Sequence, residues 1–253
     1  MSKIVERTLD CFELFADQKR PLSLTEVSRL LGIPPSSCHD VLQALQERGY
    51  IYELAPRGGF YPTLRMMEIS RTIAEHDPVL LRAEILMRSL RDVLDESVNL
   101  AKVTGLQARY LLTFEPSHPL RIMVNVGDSL RSVPSTSAGK AILASLDERS
   151  LEAYMKSVVI APLTPKTVLA KDRIRQQIDE GRARGWFVNE GESLEGVTTV
   201  SSAFSWNNSL YIITVAGPAP RMEAKLEWAA KMLVDLCRRI EMRPSSGPPE
   251  GEA

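Results

Sequence analysis

Ser36, Ser37, His39, Asp40 and Gln43 put five hydrogen-bonding side chains among Cys38, Val41, Leu42 and Leu45. Hydroxyl, imidazole and amide groups at this density can meet phosphate oxygens and the edges of bases. Arg57, inside Pro56-Arg57-Gly58-Gly59, adds a cation able to contact phosphate or enter a minor groove. Asp40 works against phosphate attraction and suits pairing with Arg57 or accepting from a cytosine amine. A second concentration is Ser135-Thr136-Ser137-Ala138-Gly139-Lys140. It has the outline of a phosphate loop, but position 134 is Pro and Ala141 follows the lysine, so the GxxxxGK[ST] spacing fails. Free amides at the start of a helix expected over 140–146 can still hold a carboxylate. Thr199 and Thr214 fall in strands that would border the same cavity. Ser137 has no identifiable histidine partner and no GxSxG setting, so no catalytic set is expected. Glu190, Glu192 and Glu195 lie close together without a histidine nearby and are expected to be solvated or at a pocket rim.

Elements must position these groups. Val5, Leu9, Phe12 and Ala16 recur at helical spacing and give an opening helix with one buried stripe, ended by Pro21. Ser23 and Glu26 form a capping-box pattern before a helix expected to bury Val27, Leu30 and Leu31. Gly32 permits a tight turn, and the next helix starts near Pro34 or Pro35, where missing amides are tolerated. Its Val41, Leu42 and Leu45 pack inward, leaving Ser36, Ser37, His39, Asp40 and Gln43 outside. Tyr50–Leu54 and Phe60-Tyr61 then form a ribbon around the Gly58-Gly59 tip. This order is that of a winged helix-turn-helix whose second helix enters a major groove.

A connector helix over 63–75, with Leu64, Met67, Ile69, Ile73 and Ala74, is broken at Asp77-Pro78 and followed by a helix over 79–95. So apolar a connector beside a small head suits a dimer contact. Strands are expected at 98–103, 108–114, 121–126, 186–189, 197–204 and 210–216. Helices are expected at 147–158, 171–184 and 220–242. The pattern is α/β (α+β), with a central antiparallel sheet covered by helices. The Pro-, Gly-, Ser- and Glu-rich stretch 244–253 is expected to be disordered.

The chain has 253 residues, long for one compact domain and comfortable for two. It is 44% hydrophobic, with 31 basic and 32 acidic residues. Residues 1–65 balance eight basic against eight acidic side chains, so any positive face must come from sorting charges. Three scattered cysteines and three scattered histidines give no disulfide framework and no zinc signature. With no signal peptide and no membrane-length apolar run, the expected location is the cytoplasm. No cofactor or metal is expected.

Four fragments, LSLTEVSRLLGIPPSSCHDVLQALQERGY, PSTSAGKAILA, GWFVNEGESLEG and VAGPAPRM, in this order and spacing, resemble the IclR family of bacterial transcription regulators over residues 4–242. The resemblance implies a winged helix-turn-helix over 1–62, a linker helix over 63–78 and a GAF-like effector-binding domain over 79–243. It further implies homodimers, often tetramers, on palindromic operators in double-stranded DNA, controlled by a small organic effector, frequently an acid. By position it assigns effector contacts to the amides of Ser137 and Ala138, to Leu120 on an adjoining strand, and to Asn189, Thr199, Thr214 and Ala216. This sequence departs from the family pattern at Asn189, commonly acidic, and at Asp40, commonly basic. The expected function is therefore ligand-controlled, sequence-specific DNA binding without catalysis. Two other readings are a regulator governed by protein contacts and a metabolite-processing enzyme with a DNA-binding head.

Overall fold

Ser23 opens the local logic of the first unit. In this computed structural model, which describes residues 3–55, 58–130 and 133–242, its hydroxyl accepts from the Glu26 amide. Glu26 in turn accepts from the Ser23 backbone N–H at 2.9 Å. This reciprocal cap starts α2 (Leu24–Leu31), which follows α1 (Lys3–Gln18). Gly32, at φ 64°, closes α2 in the left-handed conformation that a side chain would strain. Pro35 then sits in the first turn of α3 (Pro35–Glu47), where its missing N–H has no helical partner. A two-stranded ribbon follows, β1 (Ile51–Glu53) against β2 (Phe60–Pro62), and Leu22 bridges to Phe60 on its other side. The last helix of this unit, α4 (Arg65–Glu75), buries no residue.

Two expectations about helix faces are corrected. Cys11 and Phe15, not Val5, Leu9 and Ala16, are the buried residues of α1; Phe12 is half-buried and packs on the same core. The inward face is rotated because α2, α3 and the ribbon meet the Cys11–Phe15 side, leaving Val5 58% and Leu9 56% exposed. In α2, Val27 is buried and Leu31 half-buried, but Leu30 is exposed. Ser28 occupies the inward position instead, its hydroxyl donating to the Ile33 carbonyl at 2.7 Å.

The chain divides into two compact units, residues 1–76 and 77–253. The second begins with α5 (Pro78–Leu94), capped by Asp77. Then come β3 (Ser97–Thr104), β4 (Gln107–Phe114), α6 (Ser137–Ala144), α7 (Glu148–Ser157) and α8 (Lys171–Arg184). The remaining elements are β5 (Phe187–Glu190), β6 (Val197–Trp206), β7 (Ser209–Pro218), α9 (Ala219–Glu223) and α10 (Leu226–Glu241). The five strands form one antiparallel sheet in the order β4-β3-β7-β6-β5.

Period-two alternation gives the sheet two different faces. Val98, Leu100, Val200, Phe204, Ile213 and Val215 point to one side and form a core with residues of α5 and α10. Each such side chain, fully buried, contributes about 1.5–3 kcal/mol before chain entropy is counted. The other face is covered in part by α6, through Ala138, Ala141 and Ile142 packed with Ala101 and Ile212. Beyond that contact the face turns polar.

Three element expectations are corrected. Residues 121–126 form no strand. Ser97 Oγ instead donates to the Ile122 carbonyl at 2.6 Å, and just before the segment Arg221 donates to the Leu120 carbonyl at 3.0 Å. Only after this does the segment meet β4, where the Gly127 amide donates to the Tyr110 carbonyl and Leu130 to Ala108. The helix expected over 140–146 begins at Ser137, because the Thr136 hydroxyl accepts from the Gly139 amide and nucleates it three residues earlier. The final helix is two, α9 and α10, separated at residues 224–225. The tail 244–253, expected to be disordered, lies outside the described residues, as does Arg57.

Candidate functional site

α3 owes its outward face to an inward one. Cys38, Val41, Leu42 and Leu45 are buried against the core of the first unit. Ser36, His39, Asp40 and Gln43 therefore share an exposed stripe at helical spacing. Gln43 Nε2 donates to Glu47 Oε1 at 2.9 Å, and His39 Nδ1 lies 3.9 Å from Asp40 Oδ1. Ser37, half-buried, turns instead toward a cleft of about 460 Å³ between α1 and α3, also lined by Arg7, Asp40 and Arg48. The structure thus groups four of the expected groove-facing residues and sets Ser37 to one side. Arg7 and Arg48 on the cleft were not singled out by sequence, where their charges counted only toward the total.

The second unit holds a cavity of about 520 Å³ on the polar face of its sheet. The pairing register builds its floor in two rows. Asn189 pairs with Thr199 and Thr199 with Ala216; in the next row Ser201 pairs with Thr214 and Thr214 with Asn99. Directly paired residues point to the same side, so backbone register alone collects these groups. Ser137, Ala138, Asn189, Thr199, Thr214 and Ala216, all expected at this site, line one cavity. Leu120 does not: it is exposed, lies outside any strand, and bonds through its carbonyl to Arg221.

Hydroxyls on this floor form a chain. Ser137 Oγ lies 2.6 Å from Thr199 Oγ1 and 2.8 Å from Ser201 Oγ, which lies 2.7 Å from Thr214 Oγ1. Above it begins α6. The Gly139 amide is taken by Thr136, whereas the Ser137 and Ala138 amides donate to nothing within the described residues. Gly139 brings this helix start close to the preceding chain, since a Cβ there would fall 1.6 Å from the Val133 carbonyl oxygen.

Asn189 is buried, and both ends of its amide are engaged. Its Oδ1 accepts from the Glu192 amide at 2.7 Å and its Nδ2 donates to Ser193 Oγ at 2.6 Å. Glu192 is itself buried and bonded to Lys140 Nζ at 2.5 Å, correcting the expectation that the acidic cluster is solvated or at the rim; only Glu190 and Glu195 are exposed. Lys140 is wholly buried and also donates to the Val188 carbonyl at 3.0 Å. Burial pushes its ammonium below the ordinary lysine range, and the Glu192 carboxylate opposes that shift. One buried cation therefore ties α6 to β5, which carries Asn189, and to the loop that follows it.

Sequence reasoning missed Asn99, Tyr110, Ser201 and Ser193. Ser201 had a signal, lying two positions from Thr199 on the same strand face. Asn99 had none short of knowing which strand lies beside β7. Burial, with Asp128 nearby, raises the Tyr110 phenol above its usual value, so it remains a donor. The outer wall is apolar, with Ile122, Met123, Val124, Leu163 and Leu194. Among the described residues no group of three His, Cys, Asp or Glu could hold a metal ion, and no helix is long and apolar enough to cross a membrane.

Residues 4–55 match the IclR helix-turn-helix domain, and residues 71–242 match the family described as bacterial transcriptional regulator IclR C-terminal. TtgV of Pseudomonas putida, an HTH-type transcriptional regulator, is 25% identical over 239 residues, covering 94% of this chain and 90% of its own. An IclR transcriptional regulator from Alicyclobacillus acidocaldarius has a similar fold, with TM-score 0.73 at 19% identity over 95% of this chain and 98% of its own. So does an IclR homologue from Microbacterium hydrocarbonoxydans solved with 4-hydroxybenzoate, with TM-score 0.71 at 16% identity over 94% and 98%. The chain belongs to the IclR family of transcriptional regulators, with an N-terminal helix-turn-helix DNA-binding domain and a C-terminal effector-binding domain.

Proposed function

We propose that this IclR-family regulator binds a small organic effector, an organic acid, in the sheet-floored cavity, and that the effector sets how tightly the protein holds a palindromic operator. The observation that carries this reading is a pair of amides, Ser137 and Ala138, at the start of α6 inside that cavity, that donate to nothing among the described residues. A carboxylate oxygen fits such a helix start through hydrogen bonding and the helix dipole. The wall of Ile122, Met123, Leu163 and Leu194 suits a carbon skeleton. The relative solved with 4-hydroxybenzoate supports an acid of this size.

On the DNA side, Ser36, His39 and Gln43 read base edges or phosphates from α3, with Ser37 and Asp40 beside them, and Arg57 contacts phosphate. In this scheme residues 1–62 are the head, 63–78 the linker and 79–243 the effector domain. The exposed Leu64, Met67 and Ile73 of the linker support a homodimer, or a tetramer built from dimers. A dimer offers two recognition helices to two half-sites. The protein acts in the cytoplasm without catalysis. The effector changes occupancy only by favouring one arrangement of paired heads over another, and that preference passes along residues 63–95.

Calorimetry of the full chain against a panel of organic acids, with gel-shift titration of a footprinted promoter fragment, tests the scheme. Asn189→Ala should weaken the effector response while leaving operator binding intact; equal loss of both removes Asn189 from the cavity's role. Arg57→Ala should lower DNA affinity across many sequences and shallow the salt dependence by about one unit of slope. An unchanged slope removes Arg57 from the phosphate contacts.

A further inference from the structure

We infer that Asn99 is a specificity-determining residue of this cavity and that, with Thr214, it selects effectors carrying a hydroxyl group. The inference rests on the cavity being the effector site.

Asn99 is only 4% exposed and lines the cavity, and its side-chain amide has no hydrogen-bond partner among the described residues. Its strand pairing engages the main chain only, so the amide meets whatever occupies the cavity, and a ligand that displaces water there must give it a partner or lose affinity. Asn189 makes the contrast, because its oxygen and nitrogen are already committed to Glu192 and Ser193. Asn99 stands directly across the ladder from Thr214.

Thr214 ends the hydroxyl chain, and proton counting defines what that end can offer. Thr199, Ser137, Ser201 and Thr214 carry one hydroxyl hydrogen each, and the three contacts between them use three. One hydrogen is left over. Ser137 and Ser201, the inner members, are 1% and 0% exposed, so the spare hydrogen belongs at an end, on Thr199 or on Thr214. The chain can run in either direction, and reversing it rotates hydroxyls without moving a heavy atom. Thr214 accordingly presents either a donor or a lone pair.

A ligand hydroxyl placed between Thr214 and Asn99 donates to Asn99 Oδ1 and accepts from Thr214, whose hydrogen is free in one direction of the chain. An ether oxygen can accept from Thr214 or from Asn99 Nδ2 but leaves Asn99 Oδ1 without a donor, and a bare C–H edge leaves the whole amide unpartnered. Lacking the hydroxyl should therefore weaken binding by at least about tenfold, the scale of one buried polar group left unpaired.

Ligand-observed NMR titration of the full-length protein with benzoate, 3- and 4-hydroxybenzoate, and their methoxy counterparts tests this. The expected result is that at least one hydroxybenzoate binds at least about tenfold more tightly than benzoate and than its own methoxy counterpart. N99L and T214V should each reduce that preference to below about threefold. T214V is near-isosteric and keeps the test open should N99L fail to fold. Equal binding of hydroxylated and unsubstituted acids, or a preference that survives in a folded variant, overturns the role of Asn99 while leaving the cavity as the effector site. Failure of every benzoate to bind overturns this inference, and failure of the whole panel of organic acids overturns the cavity reading with it.

Discussion

The polar face of α3 and the polar floor of the sheet use the same side-chain chemistry in opposite ways. On α3, Gln43 and His39 find their neighbours within the same helix and stand in solvent. On the floor, Ser137 bonds to Thr199 and Ser201, sixty-two and sixty-four residues further along the chain. Groups of the first kind fold without regard to any partner and are free to bind one. Groups of the second kind are part of what holds their unit together. Changing them alters stability and recognition at once.

The sharpest test of this contrast is Lys140→Met. It leaves Glu192 buried without its cation, and urea denaturation should show the second unit losing about 3–5 kcal/mol. A neutral outcome would mean that the pair does not hold α6 to the β5–β6 loop. Next, Ser201→Ala removes the middle of the hydroxyl chain and should destabilise the same unit by about 1–3 kcal/mol. On α3 the pattern should invert. Gln43→Ala should move the melting transition by no more than the equivalent of about 0.5 kcal/mol, while operator affinity in a gel-shift titration falls about tenfold. A stability loss as large as that of Ser201→Ala would erase the distinction between the two surfaces.

The smallest effect is a pH signature of the first unit. The hydrogen bonds from Ser23, with help from Arg20, hold the Glu26 carboxyl down to about 2 from its ordinary 4.5. A carboxyl depressed in the folded state stabilises above its unfolded value and loses that contribution as pH falls through its folded one. The cap is therefore fully effective above pH 4.5 and fades toward pH 2. Melting curves across this window should show an acid sensitivity that Glu26→Ala lacks. Identical slopes would place the acid response elsewhere.

Local signals were legible in the sequence because the physics behind them is local. The Ser23–Glu26 box and Gly32 each act within a few residues, and the strands of the second unit declared themselves by alternation. The inward face of α1 was not legible, because Ile4, Val5 and Leu9 make a second apolar stripe and periodicity cannot say which stripe is covered. Residues 121–126 alternate like a strand, yet Ser97 claims the Ile122 carbonyl and Arg221 the Leu120 carbonyl just before them. The pairing of Lys140 with Glu192 spans fifty-two residues, and neither motif announced the other. Asn99 reached the candidate site only through the order of strands in the sheet.

The two walls of the cavity also differ in how freely they can change over generations. Beside the hydroxyl chain, the floor is carried by ladder hydrogen bonds between strands, which do not depend on which side chain stands at Ala216. The start of α6 depends on one glycine against the Val133 carbonyl and on one buried lysine. Substitutions at such strand positions can therefore reshape the cavity while the start of α6, held by that glycine and that lysine, keeps its place.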